Sequence, residues 1–132
     1  MFLWYCIKGN RGITDTDDYL LTFELALCLE ESFSNLELLK IECAMDIPKR
    51  DSILVSDGIY VYDFFESAIE ISMDSLRSVW LKARSLRDRV SFHLEIESEA
   101  DLSGLCGLAD SGVYEDGVWN FTLRVRKEGE DV

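Results

Sequence analysis

Proline, histidine and positive charge are what this sequence has least of: its 132 residues hold one Pro, one His, and 13 Lys and Arg against 26 Asp and Glu. A net charge of −13 excludes a basic nucleic-acid-binding surface, which needs cations for phosphates. Apolar runs are short. None approaches the ~20 residues of a membrane-crossing helix, so no membrane association is expected. The apolar start Met1–Ile7 lacks a basic flank and a small-residue cleavage site, and reads as a strand rather than a targeting signal. Cys6, Cys28, Cys43 and Cys106 form no CxxC pair, which argues against zinc and for reduced thiols in a cytoplasmic protein. GxSxG, GxxxxGK[ST] and GxGxxG are absent too, so neither catalytic residues nor metal nor cofactor are expected.

Against these absences stand 48% hydrophobic and 11% aromatic residues, enough for a core, and no low-complexity tract that would signal disorder. The chain therefore reads as a single globular domain over residues 1–132. Its charge is uneven: −9 over residues 1–73, +3 over 74–89 and −7 over 90–132.

Alternation dominates the pattern. Leu21, Phe23, Leu25, Leu27 and Leu29 share one parity and Leu39, Ile41, Cys43 and Met45 another, which predicts two long strands in a hairpin. The Leu-, Ala- and Glu-rich composition favours a helix over 15–31 instead, with Thr14 to Asp18 as its start, and the periodicity is given the greater weight. Asp57-Gly58 predicts a type I′ turn between Ile53–Val55 and Ile59–Tyr62, and Asp116-Gly117 a second one before Trp119, Phe121, Leu123 and Val125. Ile69, Ile71 and Met73 suggest a short strand, and Val90, Phe92, Leu94 and Ile96 a definite one. Between them, Leu76, Val79, Trp80, Ala83 and Leu86 at three- and four-residue spacing predict one principal amphipathic helix over 74–88, capped by Asp74. Its basic residues Arg77, Lys82, Arg84 and Arg87 would flank the apolar stripe. The fold class is α+β: a mostly antiparallel sheet of six to eight strands with that helix on one face, and Met1–Lys8 as a central strand.

Candidate sites are acidic. His93, Glu95, Glu97 and Glu99 fall on one parity of a strand, and the glycine-rich stretch Ala100 to Gly117 adds Asp101, Asp110, Tyr114, Glu115 and Asp116. Arg124 and Arg126 would neutralise Glu95 and Glu97 if the two strands pair. In size, charge and lack of catalytic motifs the chain is similar to bacterial immunity proteins that inhibit nuclease toxins, a similarity that covers no motif. It implies a non-enzymatic inhibitor whose acids Glu95, Glu97, Glu99, Asp101, Asp110, Glu115 and Asp116, with Tyr114, bind a basic protein partner. The alternatives are a nucleic-acid mimic that blocks a DNA- or RNA-binding protein, a small enzyme using Glu95/Glu97 or a Cys106–His93 pair, and a self-associating domain whose basic helix meets the acidic face of another copy.

Overall fold

A computed structural model describes residues 19–128, and the expected strand Met1–Lys8 lies outside them. The described chain runs β1 (Tyr19–Leu21), α1 (Thr22–Leu38), β2 (Glu42–Asp46), β3 (Ser52–Leu54), α2 (Val55–Ser72), β4 (Ser78–Ser85), β5 (Arg89–Glu97), β6 (Ser111–Glu115) and β7 (Val118–Arg126). Short 3-10 turns occupy Met73–Ser75 and Ser103–Leu108. The α+β class is as expected, but the helices lie elsewhere in the sequence.

The first alternating run is α1. Its core residues Leu25, Ala26, Cys28, Leu29, Phe33 and Leu36 recur at helical spacing, whereas Phe23 and Leu27, which alternation would bury, are exposed. Helix-favouring composition therefore prevailed over period-2 patterning. Glu24 Oε1 accepts the Leu21 N–H at 3.0 Å and ties down the first turn.

Asp57-Gly58, expected as a turn, lies within α2. A Cβ on Gly58 would come 2.9 Å from Leu20 Cδ2, so the glycine serves close helix-to-strand packing rather than positive φ. The expected strand at Ile69, Ile71 and Met73 is the end of this same helix and the turn after it.

The expected helix over 74–88 is instead strand β4. Val79, Leu81 and Ala83 are buried while Trp80, Lys82 and Arg84 are exposed, so period 2 holds where period 3.6 was read. The basic residues consequently stand on a sheet rather than on helix flanks.

Five strands pair in the order β2-β4-β5-β7-β6, and β1 with β3 forms a separate two-stranded sheet. All pairs are antiparallel except β2–β4, whose parallel register runs from Glu42↔Ser78 to Asp46↔Lys82. Parallel pairing requires a crossover, and the segment from β3 through α2 supplies it. The Asp116-Gly117 turn is as expected, with φ of 52° and 82°.

Both helices are buried against one sheet face. Phe92, Leu94, Ile96, Phe121, Leu123 and Val125 meet this layer, with Phe64 edge-on to Phe121 at 5.1 Å and Phe33 stacked on Phe65 at 5.3 Å. Among the described residues, no helix is long and apolar enough to cross a membrane.

Candidate functional site

Among the described residues, the opposite sheet face carries no helix. Register sets its side chains in rows: Glu42–Ser78–Glu97–Val118–Glu115, then Ala44–Trp80–Glu95–Asn120–Val113, then Asp46–Lys82–His93–Thr122–Ser111. Beyond them lie Arg84–Ser91–Arg124 and Arg89–Arg126. Glu95 and Glu97 do share a face with His93, whose Nε2 lies 3.4 Å from Glu95 Oε1 and 3.3 Å from Asn120 Oδ1. The expected cross-strand neutralisation does not occur, because Glu95 pairs with Asn120, Glu97 with Val118, and Arg124 with Ser91. Acids therefore collect at one end of the face and arginines at the other.

The remaining sequence-derived residues divide between these ends. Glu97, Glu99, Tyr114 and Asp116 line one hollow with Arg77, whose Nη2 is 3.9 Å from Glu99 Oε1. Glu115 is exposed on the adjoining edge strand. Asp101 turns back on its own segment, where its Oδ1 accepts the Ser103 N–H at 3.0 Å, and the Ser103 hydroxyl first and that N–H second hold its carboxyl below the ordinary range. Asp110 lies at the far, basic end, where its Oδ2 accepts the Arg124 N–H at 2.6 Å. The eight residues are thus not one surface. Cys106 and His93 are apart too: Cys106 Sγ adjoins Gly112, whose partner Phe121 faces the helices, whereas His93 is on the open side. Cys43 and Cys106 are free thiols, and the Cys43 thiol is pushed up by burial and then by Glu37.

A second candidate region was hidden by the misread turn. The outward side of α2 presents Ser56, Tyr60, Asp63, Ser67 and Glu70 at helical spacing, with Asp57 half-buried beside them. The 98–110 segment packs against this helix, and the Tyr60 hydroxyl donates to the Leu108 carbonyl. Tyr60 is held above its ordinary value by burial, then by Asp110 and Asp57. Burial likewise raises Asp57 and Asp63. Helical spacing of Val55, Gly58, Val61, Tyr62, Phe65, Ala68, Ile69 and Ser72 was the available signal. Together α2 and 98–110 hold seven carboxylates and no Lys or Arg.

Because the folded Asp57 carboxyl binds its proton more readily than the unfolded one, its ionisation works against the fold. This effect is absent below the ordinary carboxylate pKa and grows as pH rises through the raised folded value. Asp57→Asn should therefore match wild type in acid and exceed it at neutral pH, by less than about 1 kcal/mol because the group is largely solvated. Urea midpoints at pH 3 and pH 7 check this.

No protein-family model matches the sequence, and no curated protein does either. Solved structures do match. The Acinetobacter baumannii histidine kinase AdeS aligns over 93% of this chain and 73% of its own, with TM-score 0.61 at 9% identity. The catalytic domain of histidine kinase ThkA, in a nucleotide-free form, aligns over 83% and 95%, with TM-score 0.63 at 8% identity. The ATP-binding domain of PrrB from Mycobacterium tuberculosis aligns over 87% and 100%, with TM-score 0.58 at 13% identity. The fold is that of histidine kinase catalytic domains. This overturns the reading of the chain as a non-enzymatic, immunity-type inhibitor of a toxin, which rested on charge and size alone and on no motif.

One of these neighbours is an ATP-binding domain, and the donor set of this chain can be compared with what such a ligand needs. Phosphates are held by glycine-rich turns, bare helix N-termini or cations. The 98–110 segment offers Gly104 and Gly107 in open space, but α2 begins with Asp57 in its first turn and neither element supplies a cation, so phosphates would need a metal as counter-charge there. Magnesium suits that role, since it is commonly held by one or two carboxylates plus the nucleotide's own phosphates. No group of three or more potential metal ligands converges among the described residues.

Proposed function

We propose that this chain is a magnesium-dependent nucleotide-binding domain of the histidine-kinase type, with its ligand on α2 beside the 98–110 segment. The observation that carries this reading is the match of nearly the whole domain to kinase domains titled catalytic and ATP-binding. Exposed Tyr60 and Leu108 supply aromatic and apolar surface for a base. Asp63, one helical turn from Tyr60, supplies a carboxylate for the metal that travels with the phosphates. The only histidine, His93, is on the other side of the sheet, so a phosphoryl acceptor on a separate protein or domain suits this arrangement better than one within the described residues. The free thiols Cys43 and Cys106 suit a reducing, cytoplasmic setting.

Titration calorimetry of the full chain with ATP is the test. Binding should require Mg2+ and weaken at least about tenfold both in EDTA and in Asp63→Asn, a loss of roughly 1.4 kcal/mol or more. Because Asp63 is exposed and its ionisation is mildly disfavoured by the fold, that variant should not fall below the wild-type urea midpoint. Equal affinity without Mg2+, or no binding at millimolar ATP with it, overturns the reading.

A further inference from the structure

The sheet face that the described helices leave open is polarised along its strands. Glu42, Glu95, Glu97 and Glu115 hold the rows at one end, and Arg84, Arg89, Arg124 and Arg126 those at the other. The basic end is the exception in a chain of net charge −13: Arg84, Arg89, Arg124 and Arg126 gather there against two carboxylates, Asp88, which pairs with Arg89, and Asp110. A face with opposite charges at its two ends is complementary to itself once reversed.

We infer that two copies of this chain associate by stacking these open sheet faces, with strands antiparallel across the interface. A two-fold axis perpendicular to the strands, through the central row Asp46–Lys82–His93–Thr122–Ser111, superposes each end of one face on the opposite end of the other. Glu95 then lies over Arg84 and Arg124 of the second copy, and Glu97 over its Arg89 and Arg126. Wild-type charges meet their opposites twice, once at each end.

Shape supports the same docking. A hollow of about 280 Å³ opens on this face, walled by Trp80, Asp46, Lys82, His93 and Glu95. The two-fold axis brings Arg84 of the second copy above it, where a guanidinium meets an indole face and two carboxylates against a single lysine. Trp80 is 39% exposed, an unusual position for so large an apolar ring. β2 and β6 reach only the acidic half of the face, so reversed copies overlap along β4, β5 and β7, three strands ~4.8 Å apart and up to nine residues long at ~3.4 Å each, or about 14 by 30 Å. That is below the ~800 Å² per partner of a standard interface, so charge rather than area must carry the association. The inference stands apart from the nucleotide reading, because α2 packs on the other side of the sheet.

Charge exchange tests it. Arg84→Glu/Arg124→Glu sets two acids among the remaining arginines of one end, opposite Glu95 of a second copy, and Glu42→Lys/Glu95→Lys sets two lysines among the remaining acids of the other, opposite Arg84 and Arg124. All four positions are solvent-facing, so each variant should keep the wild-type circular dichroism spectrum. By sedimentation velocity at low salt, wild type should be a dimer, and about 1 M salt should weaken it because screening then acts within ~3 Å. Each variant alone should associate at least about tenfold more weakly than wild type. An equimolar mixture of the two should form a one-to-one heterodimer. A monomeric wild type, a dimer unaffected by either variant, or a mixture that stays monomeric overturns the proposal. Heparin binding by a monomeric wild type, lost in Arg84→Glu/Arg124→Glu, would also overturn it and assign the basic end to a polyanion.

Discussion

Phe65→Ala should lower the unfolding free energy by about 3–5 kcal/mol, a large part of what a domain of this size possesses. Phe65 is 1% exposed and stacks on Phe33, so it joins α2 to α1 where both cover the sheet. Removing the ring deletes buried apolar surface and leaves a cavity that its neighbours on two helices and a sheet cannot fill by local adjustment. Urea unfolding measures the change, and a midpoint within 0.5 M of wild type would contradict this account of the core. Phe65→Leu, which keeps most of the volume, should lose well under half as much.

The second large effect is electrostatic. Lys127 Nζ is 3.2 Å from Asp51 Oδ1, with both side chains more than four-fifths buried, and Ser85 Oγ donates to the same oxygen at 3.0 Å. Asp51 Oδ2 has no hydrogen-bond partner, so the lysine is the main compensation for a largely desolvated carboxylate. Lys127→Met should cost about 2–3 kcal/mol, less than the ~3–5 of a fully buried pair, because it strands that charge. Adding Asp51→Asn should recover at least half of the loss. A double variant as unstable as the sum of the two single variants would show that the pair has no such coupling.

How much of this molecule could be read from its residues depended on whether two periodicities competed. β5 and β7 alternate strictly and also contain Val, Ile, Phe and Trp, so pattern and propensity agreed and both strands were legible. In α1 they disagreed. Leu21 to Leu29 alternates, yet a run of Leu, Ala and Glu is helical by composition, and tertiary packing accepted the helix. The reverse error occurred at β4, where Leu76, Val79, Trp80, Ala83 and Leu86 satisfy helical spacing while Val79, Leu81 and Ala83 satisfy that of a strand. Its position between β2 and β5 depends on partners distant in sequence. The acidic strand face was legible because it belongs to β5. The polar side of α2 was not, since Asp57-Gly58 is a good turn signal and its glycine is there to admit Leu20.

The seam between β1, β3 and the end of β7 has a topological consequence. Leu20 pairs with Ile53, Ile53 bridges Lys127, and the Glu128 N–H donates to the Ser52 carbonyl at 2.8 Å. Residues 19 and 128 therefore lie on either side of β3 at one corner of the described fold, about two strand widths apart. Opening the backbone at the Asp116-Gly117 turn would leave this seam closed, and a proteolytic nick there should release neither end of the described chain from the other.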